Sequence, residues 1–205
     1  MQCIIIKYKV YRISLIWENS QIQEKMINIR LKKYEGTILA LDTASKKTGY
    51  AIYKNGKIFK SGTWKLKKDK EFLALFDNFE TIVRKYEITQ IVAEDIYQDK
   101  SMKDAYERLC MCKGVLYVIA ERYDIPLSTS FNPIRIKQHI WNYNPYSIIH
   151  KTLTRTEHKK RMVNAVTRLG YKLETGSADD EADAIGLLIT YLDDYKYEIT
   201  HPVKR

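Results

Sequence analysis

The chain has 205 residues, with 35 lysines and arginines against 25 aspartates and glutamates, a net charge of +10. Hydrophobic residues make up 45% and aromatics 12%, which excludes a disordered tail, and a chain of this length can enclose its own core. No apolar run approaches the roughly 20 residues that a membrane helix needs, and no repeat period marks a solenoid or fibre.

Residues 1–36 read as an N-terminal extension of unclear role, apolar and basic in alternation through Ile6, Tyr8 and Val10 and polar from Glu18 to Lys25. A hairpin, a partner-binding arm and sequence upstream of a start at Met26 are all consistent with it. Lys7, Lys9 and Arg12 interrupt any signal-peptide core around Ile4 to Ile6. Residues 37–195 then read as one folded domain, followed by a tail at 196–205.

Thr37 to Asp42 (TILALD) is a short apolar run of the kind that forms a strand buried on both faces. Thr48 to Tyr53 and Lys57 to Trp64 form a hairpin around Asn55-Gly56, a pair suited to a type I′ turn. Asp69 to Tyr86 carries Phe72, Leu75, Phe76, Phe79, Ile82 and Val83 at helical spacing. Ile88 to Glu94 is a fourth strand. Ser101 caps a helix running to Tyr123, and Ile125 to Thr129 is a fifth strand. Pro133 opens a helix to Trp141, Asn142 to Thr156 reads as an irregular loop, and helices over Glu157 to Leu169 and Ala178 to Tyr191 close the domain. A meander leading into crossover units is an α/β class, with the ribonuclease H-like arrangement of a mixed five-stranded sheet flanked by helices.

Cys3, Cys110 and Cys112 form no disulfide framework and no Cys-x-x-Cys pair, and His139, His150, His158 and His201 lack zinc spacing. A soluble protein of a reducing compartment, cytoplasmic and without a membrane partner, is the expectation. The basic balance favours an acidic polymer as partner.

Four acids stand out. Asp42 and Glu94 each end an apolar strand, although acids are poor strand formers. Alternation puts Ile38, Ala40 and Asp42 on one face and Val92 with Glu94 on one face, so parallel neighbours would bring both acids to the carboxyl edge of the sheet. Asp180 and Asp183 are i, i+3 neighbours on a helix whose next residues are apolar around most of its circumference. Converging carboxylates raise one another's pKa values, and a hard divalent cation such as magnesium relieves the repulsion. The same residues also read as a helix cap after Ser177 and as solvated strand ends. Asp179 is the register alternative to Asp180.

Leu39-Ala40-Leu41-Asp42-Thr43 with Thr48-Gly49-Tyr50, then Val92-Ala93-Glu94-Asp95-Ile96-Tyr97, then Asp180-Glu181-Ala182-Asp183-Ala184 resemble in order the motifs of the RuvC-type Holliday junction resolvases, most closely the phage-encoded branch. The N-terminal 36 residues have no counterpart there, and Asp95 stands where the bacterial enzymes carry an amide. The resemblance implies that Asp42, Glu94, Asp180 and Asp183 hold two magnesium ions, with manganese able to substitute. It also implies that Lys137 and Lys159 lie beside the scissile phosphate, with Lys160 open as an alternative to Lys159. Tyr97 would stack on a base where strands exchange, unless it simply packs at a strand end.

The two basic clusters, Lys54 to Lys70 and Lys151 to Lys172, each hold seven cations against one acid, and the second, with Lys160 and Arg161, precedes the acidic helix. They suit phosphate contacts or solvated faces. Gly114 interrupts a long helix, which close packing or a two-fold homodimer would explain. The expected activity is magnesium-dependent nicking of branched DNA, especially four-way junctions, with no helper helicase identified. The rivals are cutting of forks or RNA-DNA hybrids and non-catalytic binding of branched DNA. An actin-like sugar kinase would need a second domain and glycine loops that this chain lacks.

Overall fold

The computed structural model describes residues 34–44, 46–66, 70–96, 103–173 and 178–195. The strands are β1 (Thr37–Asp42), β2 (Lys47–Lys54), β3 (Lys57–Lys65), β4 (Gln90–Glu94) and β5 (Leu127–Phe131). The helices are α1 (Glu71–Tyr86), α2 (Lys103–Arg122), α3 (Pro133–Trp141), α4 (Ile148–Lys151), α5 (Arg155–Arg168) and α6 (Ala178–Asp194). No described helix is long and apolar enough to cross a membrane.

The sheet order is β3-β2-β1-β4-β5, antiparallel from β3 to β1 and parallel from β1 through β4 to β5. This is the mixed five-stranded sheet expected from the sequence. Asn55 (φ 54°) and Gly56 (φ 81°) make the tight β2–β3 turn in the left-handed region that Asn and Gly tolerate.

Strand alternation divides the core in two. Leu39, Leu41, Ile52, Ile91 and Ala93 pack with α1 and α2 through Leu75, Phe79, Leu116 and Ile119. Ile38, Ala40, Ala51, Tyr53 and Val92 pack on the other face with Ile136 of α3, Met162 and Val166 of α5, and α6. Ile185, Leu188 and Leu192 of α6 are completely buried, and burying each such side chain contributes about 1.5–3 kcal/mol. The Ser61 hydroxyl donates to the buried Glu181 carboxylate at 2.5 Å, tying α6 to β3. These contacts fix the acidic start of α6 over the carboxyl ends of β1 and β4.

Several boundaries differ from expectation. β4 begins at Gln90, because Glu87 ends α1 in a left-handed conformation and the chain needs Ile88 and Thr89 to turn back. Ile125 does not open β5. Its N–H caps α2 by donating to the Ala120 carbonyl at 2.8 Å, and β5 starts two residues later, at Leu127. The expected irregular loop contains α4, and α5 starts at Arg155 because Thr154 and Glu157 form a reciprocal capping box. α6 extends three residues beyond Tyr191, to Asp194. The expected caps Ser101 and Ser177 lie outside the described residues.

Candidate active site

β1 and β4 run parallel in a register that sets Ala40 beside Val92 and Leu41 beside Ala93, so Asp42 and Glu94 end adjacent strands. Both side chains follow the face that packs beneath α6. Asp42, Glu94, Asp180 and Asp183 line one cavity of about 560 Å³ together with Lys137, Arg155, His158 and Lys159. Thr48, fully buried, shapes the rim: its hydroxyl donates to the Ala44 carbonyl at 3.1 Å and accepts from the Ala44 N–H at 3.4 Å. Asp95 also lines the cavity, with its carboxylate held by Lys113 of α2 at 3.1 Å.

Electrostatic strain marks the cavity. Burial pushes Asp42 up to about 6, with the Asp180 charge adding to the effect. Burial and then the Asp42 charge push Asp183 up to about 8. Glu94 is held well above the usual carboxylate range by burial, by Asp42 and by Asp183. The contact between the Glu94 and Asp42 carboxyls raises the Glu94 pKa further and works against the rise at Asp42. Lys137 opposes the upward shifts of Glu94 and Asp183.

Lys159 donates to Asp179 and, at 3.5 Å, to Asp180. Burial works against its ammonium charge, but the contact with Asp179 and the charges of Asp180 and Asp183 outweigh it and raise the Lys159 pKa. Burial likewise acts against ionised Asp179, and its bond to Lys159 reverses the balance, lowering the Asp179 pKa. The two neighbouring aspartates therefore differ: Asp180 lines the cavity and touches the lysine only at 3.5 Å, whereas Asp179 is the lysine's closer partner.

The residues fit a hard cation chemically. All four converging donors are carboxylate oxygens, their repulsion is only partly offset by two lysines, and buried Asp180 Oδ2 accepts no hydrogen bond among the described residues. An orphaned buried carboxylate oxygen is costly unless a cation or proton reaches it. Among the described residues no three His, Cys, Asp or Glu side chains already close into a cage around one position. The acids thus line an oxygen-donor cavity, the kind of donor set that magnesium accepts together with water and phosphate oxygens.

The structure brings together six of the residues singled out from the sequence: Asp42, Glu94, Asp180, Asp183, Lys137 and Lys159. Lys160 and Arg161 line a different cavity, of about 460 Å³, with Trp141, Leu153, Glu157, Asn164, Ala165 and Arg168. Tyr97 lies outside the described residues. Arg155 and His158 were not expected in the carboxylate cavity. The signal for them was Thr154-x-x-Glu157, a capping-box pattern that starts the helix at Arg155 and turns 155, 158 and 159 toward one face.

The family model described as crossover junction endodeoxyribonuclease RuvC matches residues 38–191, well over half of the chain. Thermus thermophilus RuvC in complex with a Holliday junction substrate is similar in fold, with a TM-score of 0.54 at 14% identity, covering 76% of this chain and 92% of that one. Thermus thermophilus RuvC in another structure gives a TM-score of 0.52 at 12% identity, over 78% of this chain and 95% of that one. No curated protein matches the chain.

Proposed function

The chain belongs to the RuvC family of crossover junction endodeoxyribonucleases, and on that premise we propose that it is a magnesium-dependent, structure-specific endonuclease that nicks branched DNA, above all four-way junctions. The observation that carries this reading is the convergence of four carboxylates and two lysines in one cavity at the carboxyl edge of the sheet. Asp42, Glu94, Asp180 and Asp183 would hold the metal, magnesium or manganese in its place. Two divalent ions, when bound, supply Lewis acidity that activates water and stabilises the departing 3′ oxygen of a phosphodiester. Lys137 and Lys159 offset charge gathering on the phosphoryl oxygens.

Lys160 and Arg161, beside Arg168, suit contacts to flanking phosphates, which give salt-sensitive affinity without sequence preference. Tyr97, three residues past Glu94, is assigned to base stacking on its motif alone. A homodimer is supported by α2: Met111, Tyr117 and Val118 are 55%, 52% and 55% exposed, and a β-carbon at Gly114 would meet nothing within 4 Å. Packing among the described residues therefore does not explain Gly114, whereas a second copy laid on this face would. Two active sites related by a two-fold axis suit opposing strands of a junction.

The test is incubation with a synthetic four-way junction and magnesium, beside forks and RNA-DNA hybrids of the same sequence. Preferential nicking of the junction by the wild type, abolished in Asp42→Asn, is expected. No nicking of any substrate by the wild type, or undiminished nicking by the variant, would reject the reading.

A further inference from the structure

Tyr146, Ile148 and Ile149 are 85%, 81% and 69% exposed, more than any other large apolar residue described. They crown the connection between α3 and α5, and so much apolar surface in so short a segment marks a contact.

The tip stands on a built base. Asn142 ends α3 in the left-handed region at φ 57°. The Asn144 side chain accepts from the Tyr146 N–H at 2.9 Å, an Asx turn around Pro145, and His150 Nδ1 accepts from the Asn144 N–H at 2.7 Å. The Tyr143 and His150 rings stack at 5.5 Å, and Trp141 packs on both at 5.2 and 5.5 Å. His158 contacts Trp141 and Tyr143 at 5.7 and 5.4 Å, joining this base to α5. The Thr154–Glu157 capping box fixes the far end. Such a tip is held before any partner arrives, which reduces the ordering cost of contact.

The surroundings select the partner. Lys151, Arg155, Lys159, Lys160 and Arg161 follow the tip, against Glu157 alone. A second copy packed two-fold on this patch would set these cations against their own counterparts. A nucleic acid provides phosphates for the cations and base faces for the apolar tip. Arg155, His158 and Lys159, at the start of α5, also line the carboxylate cavity, and His158 touches the Trp141 and Tyr143 rings, so the base of the tip and the cavity share one helix end.

We propose that the 142–154 loop is a preformed wedge that inserts Tyr146, Ile148 and Ile149 against unstacked bases at the branch point. Isoleucine side chains intercalate between base steps, and tyrosine stacks on exposed bases. The inference deepens the nuclease reading and rests on it.

The test uses full-length protein without magnesium and a four-way junction carrying 2-aminopurine at the branch. Wild-type binding should raise the fluorescence as bases unstack. In a variant combining Tyr146→Ser, Ile148→Ser and Ile149→Ser most of that rise should be lost. Junction affinity should fall about five- to 150-fold, the range of base stacking on one side chain, with affinity for linear duplex unchanged. Should the triple variant unfold, Tyr146→Ala alone should lower the signal while Tyr146→Phe and Ile148→Leu keep it. A folded triple variant that unstacks and cuts the junction like the wild type overturns the wedge alone. So does a variant that loses only self-association in sedimentation. A wild type that neither binds nor cuts the junction overturns the wedge and the nuclease reading together.

Discussion

Gly49 of β2 lies against the main chain of Asp180, so close that a β-carbon on Gly49 would overlap the Asp180 carbonyl oxygen. Gly49 is also the cross-strand partner of Asp42. One missing side chain thus lets the first turn of α6 settle beside the end of β1, bringing Asp180 to Asp42. Gly49→Ala must push α6 outward, because the obstructing atoms are backbone and cannot rotate away. A stability loss of about 1–3 kcal/mol in urea denaturation is expected, with nicking lost and junction binding retained. Gly62→Ala offers a comparison, since the atoms nearest its β-carbon belong to the Tyr50 side chain, with the hydroxyl at 2.9 Å. A Gly49→Ala enzyme that nicks at the wild-type rate would contradict the dependence on this approach.

The raised carboxyl pKa values make stability depend on pH in a stated direction. In the folded, metal-free chain Asp42 titrates near 6 and Asp183 near 8, whereas in the unfolded chain an aspartate titrates near 4. Between those values the folded state binds more protons than the unfolded state, so stability falls as pH rises. In EDTA the melting temperature should decline from about pH 4 to about pH 8 through this cavity's contribution. Asp183→Asn should flatten the decline. A divalent cation competes with these protons, so the stabilisation by magnesium should grow with pH over the same window. Melting curves with and without magnesium check both slopes, and a magnesium effect that shrinks toward pH 8 would be inconsistent with ligation by these acids.

Asp42 and Glu94 were paired correctly from the sequence because strand alternation is a local rule, and a parallel register carries it across to the neighbouring strand. The NG turn and the Asn-Pro start of α3 were legible for the same reason: each is set by one or two residues. β5 was misplaced because Ile125 is buried where a helix ends, and apolarity alone does not separate that environment from a strand. The i, i+3 spacing to Asp183 favours Asp180 over Asp179, but the pairing of Asp179 with Lys159 is beyond a pattern reading. It depends on where Lys159 reaches from α5, which depends on how two helices far apart in sequence pack together. Arg155 and His158 escape the sequence reading for a narrower reason: Thr154-x-x-Glu157 carries the boundary, and starting the helix at Glu157 leaves Arg155 in the loop and hides the face it shares with His158.

Lys159 and Lys160 should separate by function. Lys159 lines the carboxylate cavity and contacts Asp179 and Asp180, while Lys160 lines the neighbouring cavity. Lys159→Met should lower single-turnover nicking about 10²- to 10³-fold, the magnitude seen when a transition-state charge partner is removed, with a smaller effect on binding. Lys160→Met should weaken binding, reduce its salt dependence and leave nicking of bound junction near wild type. Asp179→Asn should resemble a weaker Lys159 variant, because it removes the lysine's closer partner without removing a cavity-lining acid. Equal rate losses in the two lysine variants would assign both to phosphate binding alone.

Gly114 provides the means to test the assembly without touching the active site. It sits within α2, exposed beside Met111, Tyr117 and Val118, with open space where a β-carbon would lie. Gly114→Arg therefore meets no obstruction from the described residues of its own chain, and replacing a mid-helix glycine should stabilise α2 by up to about 1 kcal/mol. In a dimer built on this face the same side chain falls between two apolar surfaces and brings unpaired positive charges together across the two-fold axis. The expected result is a melting temperature equal to or above that of the wild type under monomeric conditions, a shift from dimer to monomer in sedimentation, and single nicks replacing paired incisions on a four-way junction. Dimer retention with paired cutting by Gly114→Arg would move the interface away from α2, and a monomeric wild type that makes paired cuts would remove the need for one.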